Sequence, residues 1–240
     1  MTLRAYWTET RAPRYSLLFV APLFALYEAA SWLLGADQAG GVRNGADVLL
    51  RSMFALLGGH RGLAVFTLVV AVAGAVLVWR DRRKHPGPLH RGRFGIMLAE
   101  SAVWAVLLGG LSAAITAFVL DPLAVQAGGV TSLSLSQRLV LSAGAGLYEE
   151  LVFRVMLVGG IAAVGLRLGW AKRWAVTAGV LGSALIFSGF HYVGPYGDPF
   201  ALGSFTFRAV AGVLLSGLYV ARGFGIAAWS HALYDVMVLT

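Results

Sequence analysis

Seven long apolar stretches dominate this sequence and restrict it to folds that a membrane can accommodate. A helix that spans the hydrocarbon core of a bilayer needs about 20 predominantly apolar residues. The sequence therefore predicts an all-α, polytopic transmembrane helix bundle. The seven predicted spans are residues 16–34, 62–79, 94–120, 139–166, 174–193, 205–221 and 224–239.

A shorter apolar stretch, residues 46–57, allows two counts of the spans. It carries Asp47 and Arg51 four positions apart, so both lie on one face of a helix. This pattern favours a short helix that lies at the interface or is tucked against the bundle. We therefore predict seven spans and one short helix, with eight spans as the alternative.

The composition agrees with a membrane protein and excludes several other classes. Apolar residues make up 58% of the chain and charged residues 12%, against about 25% in soluble domains. The absence of cysteine excludes a secreted disulfide scaffold, a cysteine nucleophile and a thiolate zinc site. The net charge of +8 could indicate nucleic-acid binding, but the basic residues cluster in short loops between the apolar stretches, so we expect no nucleic-acid partner.

The distribution of arginine and lysine predicts the orientation. With alternating topology, thirteen basic residues fall on one side of the membrane and five on the other. Because cytoplasmic loops carry the excess of positive charge, we expect a cytoplasmic N-terminus and an external C-terminus. We expect one integral membrane domain over residues 1–240 in a bacterial inner (cytoplasmic) membrane. Residues 1–138 would form its N-terminal helices and residues 139–240 its core.

Six ionisable residues are expected at bilayer depth within the last hundred residues. A charged side chain at bilayer depth costs about 2.5–3.5 kcal/mol on insertion scales. Such a collection is expected where the side chains face one another around a hydrated cavity. The six residues are Glu149, Glu150, Arg154, His191, His231 and Asp235.

Their spacing predicts which of them pair. Glu150 and Arg154 are four positions apart, as are His231 and Asp235, so each pair shares a helix face. Glu149 points about 100° away from Glu150 and is left without a local partner. These patterns are also typical of a structural polar network that holds helices together, and both readings stay open at this point.

Together the groups contain most of what amide hydrolysis needs without a covalent nucleophile. A carboxylate and an imidazole that share a water form a general-base pair. A second imidazole can donate to the negative charge that develops on a carbonyl oxygen. Two histidines and a glutamate could also bind zinc with an open position. No His-Glu-x-x-His motif is present, so we favour a site without metal or other cofactor and leave zinc open.

Three motifs in register resemble those of the CAAX-protease and bacteriocin-processing (CPBP) family of membrane endopeptidases. They are Glu149-Glu150-Leu-Val-Phe-Arg154, Phe187-Ser-Gly-Phe-His191 and His231-Ala-Leu-Tyr-Asp235. The resemblance, which includes the type II CAAX prenyl protease, covers roughly residue 139 to the C-terminus. Residues 1–138 match only as generic membrane helices.

The resemblance implies a role for each of these residues in an intramembrane protease of the glutamic type. Glu149 with His191 would activate water, and His231 would stabilise the oxyanion. Glu150 and Arg154 would hold the geometry of the site or contact substrate. The family accepts Asp or Asn at the last position; because an ionised aspartate cannot donate to an oxyanion, Asp235 is expected to orient His231.

The implied partner is a membrane-associated protein or peptide substrate, prenylated or not, in the lipid bilayer. One alternative is a non-catalytic membrane scaffold or bacteriocin-immunity member of the same fold. Another is an ion- or proton-coupled transporter, since such groups also line ion paths. Transporters commonly show repeated halves, whereas the intramembrane cluster is expected in one half only. The sequence leaves the oligomeric state open.

Overall fold

The computed structural model describes residues 2–34, 43–120, 133–194 and 197–239, and the regular elements in these ranges are all helical. The predicted all-α class is therefore confirmed. In chain order the elements are α1 (Leu3–Thr10), α2 (Pro13–Leu33), α3 (Gly45–Lys84), α4 (Gly92–Val119), α5 (Leu135–Gly144), a π-helical segment (Ala145–Val158), α6 (Gly159–Arg167), α7 (Lys172–Phe190), α8 (Leu202–Arg222) and α9 (Phe224–Leu239).

Among the residues that the structure describes, four helices are long and apolar enough to cross a membrane. They are α2, α4, α7 and α8, and they correspond to the predicted spans 16–34, 94–120, 174–193 and 205–221. Their outer faces expose large apolar side chains such as Leu26, Leu111 and Leu185, as lipid-facing surfaces do. The chain is an integral membrane protein, and the count of seven to eight spans stays a prediction.

Helix α3 corrects the prediction of a separate short helix. Residues 46–57 and 62–79 lie in one continuous helix of 40 residues. Asn44 caps its N-terminus by accepting a hydrogen bond from the backbone N–H of Ala46, and three basic residues occupy its last turn. At 1.5 Å per residue, α3 is about 60 Å long, well beyond the hydrocarbon core. Its first turns are tucked against the bundle, as predicted for residues 46–57, because Asp47 and Arg51 are buried there.

The predicted span 139–166 is helical throughout but changes its period in the middle. Helix α5 continues into the π-helical segment Ala145–Val158 and then into α6. Most π-helices are single-turn bulges, and they occur frequently at functional sites. The apolar pattern predicted a helix here but gave no indication of the wider turns. This segment carries the first motif.

Small residues let neighbouring elements approach the π-helical segment closely. A Cβ atom added to Gly144 would lie 2.5 Å from the Tyr27 ring, and one added to Gly146 would collide with the carbonyl oxygen of Ala228 in α9. The segment also packs against α7. These contacts bring the helices that carry the second and third motifs against the first.

Buried charged residues also lie in the N-terminal half, outside the cluster predicted for the last hundred residues. Arg51 contacts Glu28 at 2.8 Å and Asp47 at 2.6 Å. The buried Arg222 contacts Glu100 of α4 at 2.6 Å. The expectation that the intramembrane charges gather in the C-terminal half alone is therefore wrong. The pattern failed because Asp47 and Arg222 lie near the ends of apolar stretches, where sequence cannot separate a buried charge from a loop charge.

These ion pairs bear on the charge count used for orientation. The charge count places Arg222 in a loop on the side with thirteen basic residues and Arg51 on the side with five. Because both are buried in ion pairs, we leave them out of the count, which removes one positive charge from each side. The asymmetry remains, and the orientation stays a prediction.

Candidate active site

Glu150 joins the first and third motifs. Its Oε1 atom accepts a hydrogen bond from Nδ1 of His231 at 2.8 Å, and its Oε2 atom lies 3.2 Å from Nε of Arg154. One carboxylate oxygen is therefore hydrogen-bonded to His231 of α9, and the other lies at ion-pair distance from Arg154 of the same segment, without a hydrogen bond among the described residues. The predicted Glu150–Arg154 pair is present, and His231 is a partner that spacing along one helix could not reveal.

Arg154 is fully buried and packs its guanidinium on an aromatic ring. Its Cζ atom lies 4.5 Å from the centroid of Phe187, within the range of a cation–π contact. Its Nη1 and Nη2 atoms have no hydrogen-bond partner among the described residues. Because Glu150 and Arg154 are both 0% exposed, their position suits holding the geometry of the site rather than touching a substrate.

Glu149 points to a different set of partners, as its offset from Glu150 predicted. Its Oε1 atom accepts a hydrogen bond of 2.7 Å from Nδ2 of Asn44, and its Oε2 atom lies 3.9 Å from Nε2 of His231. Glu149 also interacts electrostatically with His191. The residue is 7% exposed, so its carboxylate is enclosed but not sealed from water.

His191 caps the C-terminus of α7 and has a fixed tautomer. Its Nδ1 atom donates a hydrogen bond of 2.8 Å to the carbonyl oxygen of Phe187, one turn earlier. A carbonyl can only accept, so Nδ1 carries the proton and Nε2 is left to act as an acceptor. The Phe187 ring packs edge-on against both imidazoles, with its centroid 5.0 Å from that of His191 and 6.0 Å from that of His231.

Asp235 lies near His231 without a hydrogen bond to it. Its Oδ2 atom is 3.8 Å from Nε2 of His231, while Nδ1 of that ring is held by Glu150. The orienting contact that the sequence analysis gave to Asp235 therefore belongs to Glu150. Asp235 lies near His231 because the two are four positions apart on α9, but the shorter contact of His231 is with Glu150 in the π-helical segment.

Asn44 and Tyr27 are parts of the site that sequence reasoning missed. The Tyr27 hydroxyl receives the backbone N–H of Asn44 at 3.1 Å and donates to Asp47 at 2.8 Å. Asn44 is 5% exposed and Tyr27 is fully buried. An asparagine followed by Asp47 is the signature of a helix start, which could have identified Asn44 as a cap but not as a neighbour of Glu149.

The site does not offer an evident metal centre. Over residues 2–34, 43–120, 133–194 and 197–239, no group of three or more histidine, cysteine or acidic side chains is arranged to hold a metal ion. The three groups named as candidate zinc ligands, Glu149, His191 and His231, thus do not form such a group.

A large apolar cavity lies on the other side of the π-helical segment. It measures about 1410 Å³ and opens between α2, α3 and this segment. Tyr148 and Leu151 line it, but none of the six predicted site residues does. The cavity and the carboxylate–histidine site are therefore separate features on opposite faces of one helix.

The fold and the site together define a helical membrane protein with buried carboxylates and histidines on adjoining helices. Residues 131–237, just under half of the chain, match the family of type II CAAX prenyl endopeptidases that are Rce1-like. The resemblance predicted from the three motifs is therefore confirmed as a match over these residues. No curated protein and no solved structure shows a significant match to the chain.

Proposed function

We propose that this protein is an intramembrane endopeptidase of the glutamic type, which hydrolyses a peptide bond with a water activated by Glu149 and His191. The observation that carries the proposal is the position of Glu149. Its carboxylate has one oxygen held by Asn44, lies 3.9 Å from Nε2 of His231, interacts with His191 and retains slight exposure. A carboxylate held in this way beside two imidazoles can accept a proton from water.

The reaction begins with the attack of water on the carbonyl carbon of the scissile bond. The water transfers one proton to the Glu149 carboxylate while Nε2 of His191 accepts a hydrogen bond from it and orients it. The new C–O bond converts the carbonyl oxygen into an oxyanion. When His231 carries both protons, its Nε2–H faces the same space and donates to that oxyanion.

Collapse of the tetrahedral intermediate breaks the C–N bond. Glu149 returns its proton to the leaving amine, which leaves a carboxylic acid on one product, an amine on the other and the glutamate ionised again. Glu150 and Arg154 take no proton in this scheme. They hold His231 through its Nδ1 atom and thereby aim Nε2 at the reacting carbonyl.

The substrate in this proposal is a membrane-associated protein or peptide whose scissile bond reaches the enclosed site. The family that residues 131–237 match is described as prenyl endopeptidases. This supports testing a peptide with an S-prenylated cysteine first, beside the same peptide without the lipid.

The experiment compares wild type and Glu149→Gln in proteoliposomes with an internally quenched S-farnesylated peptide and its unlipidated counterpart. We expect wild type to cleave at least one and the variant to cleave neither. In parallel, the membrane proteomes of cells that carry either form are compared. We expect proteins with an uncleaved terminus to accumulate with Glu149→Gln. Full cleavage by the folded variant would overturn the proposal.

A further inference from the structure

The side chain of Asn44 makes two hydrogen bonds with different consequences. Its Oδ1 atom accepts from the backbone N–H of Ala46 at 2.9 Å and caps α3. Its Nδ2 atom donates to Glu149 Oε1 at 2.7 Å. Because a backbone N–H can only donate, the atom that faces Ala46 is the oxygen, and the atom that faces Glu149 is the nitrogen.

The position of Asn44 is itself tightly determined. Its backbone N–H donates to the Tyr27 hydroxyl, which in turn donates to Asp47 in the first turn of α3. A Cβ atom added to Gly144 would lie 2.7 Å from the Cβ atom of Asn44. The end of α5, which leads into the π-helical segment, therefore packs directly against Asn44. Contacts with α2, α3 and α5 thus fix the position of Asn44 and of its side-chain amide.

We propose that Asn44 is a positioning residue of the site, which orients the Glu149 carboxylate by donating to its Oε1 atom. A role of Asn44 in catalysis rests on the proposed function. The hydrogen bond from Asn44 to Glu149 can be tested without a substrate. Asn44 lies outside the matched residues 131–237. The N-terminal half of the chain therefore supplies part of the site instead of serving only as membrane helices.

The two hydrogen bonds can be separated by substitution. Asn44→Ser and Asn44→Thr keep a side-chain oxygen that caps α3 but remove the amide donor to Glu149. Ser134, which caps α5, offers the matched control, because Ser134→Ala removes a helix cap far along the chain from Asn44. If Asn44 acted only as a helix cap, the Asn44 variants would behave like wild type, and Ser134→Ala would be the more destabilising substitution.

The test is an infrared pH titration of the carboxyl groups of the full-length protein in detergent. The band of protonated Glu149 is identified as the one that Glu149→Gln lacks. Since a hydrogen bond to the ionised form is lost, we expect Asn44→Ser to move the midpoint of this band upward by about one pH unit, with Asn44→Thr doing the same if the serine variant does not fold. Ser134→Ala should leave the midpoint unchanged.

An unchanged midpoint in the folded Asn44 variant would overturn the inference. Where a peptide is cleaved, the Asn44 variants should lower kcat with little change in KM, and the acid limb of the pH profile should move with the infrared midpoint. Loss of the proposed function is a different result: Glu149→Gln would then cleave normally whatever the titration shows.

A separate observation concerns the apolar cavity between α2, α3 and the π-helical segment. Its walls are aliphatic along most of their length, with residues 69–71 and 73–75 of α3 on one side and Leu151 and Val155 on the other. Arg11, Arg82 and Arg83 line it as well, and Trp79 stands beside them with Arg83 stacked at 4.2 Å from its ring. The three arginines are exposed.

We infer that this cavity binds an anionic phospholipid, with its phosphate at the three arginines and its acyl chains along the aliphatic walls. Basic pockets between membrane helices are suited to acidic headgroups. A tryptophan at the cationic end matches the headgroup level of a bilayer, where aromatic side chains concentrate. The charge and the apolar surface thus fit the two halves of one lipid molecule.

The test measures the Tm of the purified protein in detergent with added phosphatidylglycerol, phosphatidylcholine or inorganic phosphate. A ligand that binds only the folded state raises Tm, and we expect phosphatidylglycerol alone to do so. Arg82→Gln with Arg83→Gln should abolish the effect. Arg167→Gln with Arg173→Gln is the matched control, since these exposed arginines do not line the cavity and Arg173 also stacks on a tryptophan. Equal stabilisation by phosphatidylcholine or by phosphate, or an undiminished effect in the first pair, would overturn the inference.

Discussion

Nδ1 of His231 donates a hydrogen bond of 2.8 Å to Glu150, a residue 81 positions earlier in the chain. The same carboxylate lies 3.2 Å from Arg154, and both Glu150 and Arg154 are fully buried. One side chain therefore neutralises a buried cation and fixes the imidazole tautomer of a neighbouring helix. This double role makes Glu150 more important for the fold than Glu149, although the two are adjacent.

The first prediction concerns the free energy of unfolding when Glu150 is neutralised. Glu150→Gln keeps the volume but leaves the buried guanidinium of Arg154 without its counter-charge. Removing one partner of a buried ion pair costs about 3–5 kcal/mol, so we expect a loss of that order. Denaturant unfolding in mixed micelles measures it, and Glu149→Gln, which leaves the pair intact, should lose much less.

A second substitution checks that the cost arises from the uncompensated charge. Glu150→Gln combined with Arg154→Met removes both charges, and we expect it to regain much of the lost stability. The double variant should remain inactive because His231 has lost its orienting carboxylate. A single Glu150→Gln variant as stable as wild type would contradict the ion-pair account.

The glycines of the π-helical segment lead to a second prediction. A Cβ atom at Gly146 would collide with Ala228 and lie 2.7 Å from the Cβ atom of Ala232, the residue after His231. Gly146→Ala should therefore push α9 outward, at a cost of about 1–3 kcal/mol for overpacking. It should also lower kcat, since His231 moves with α9.

The matched control lies in the helix that follows the same segment. A Cβ atom at Gly160 would have nothing within 4 Å, so Gly160→Ala should be neutral or slightly stabilising. Unfolding midpoints and cleavage rates of the two variants, measured side by side, make the comparison. Equal behaviour of the two would show that α9 does not depend on the close approach at Gly146.

The features that sequence predicted are those that depend on local spacing or on apolar length. Four of the predicted spans follow from the length of apolar stretches, and the Glu150–Arg154 pair follows from their separation by about one turn. The different direction of Glu149 follows from adjacency on a helix. In each case the information lies within about 20 consecutive residues.

The features that sequence could not predict depend on contacts between distant segments. The hydrogen bond from Asn44 to Glu149 joins residues 105 positions apart, and that from His231 to Glu150 displaced the contact assigned to Asp235. The ion pair of the buried Arg222 with the half-buried Glu100 joins residues 122 positions apart. Such pairings follow from how the helices pack, which the apolar pattern alone leaves undetermined.

Metal dependence gives a third prediction. No group of three ligands is arranged for a metal in the described part of the chain. We expect cleavage to survive dialysis against EDTA and 1,10-phenanthroline, and metal analysis of the active protein to find no stoichiometric zinc. Zinc at one equivalent per chain, with activity lost on its removal and restored by its return, would assign the water to a metal instead of Glu149.

The orientation in the membrane gives the last prediction, and the chain is well suited to testing it because it contains no cysteine. Pro88→Cys places a thiol in the exposed, basic connection between α3 and α4, and Pro199→Cys places one in the exposed connection before α8. If the excess of arginine and lysine marks the cytoplasmic side, a membrane-impermeant maleimide added to intact cells should label Cys at 199 but not at 88. Permeabilised cells should show both thiols labelled, which controls for accessibility. Labelling of position 88 from outside would reverse the orientation and place the connection after His191 in the cytoplasm.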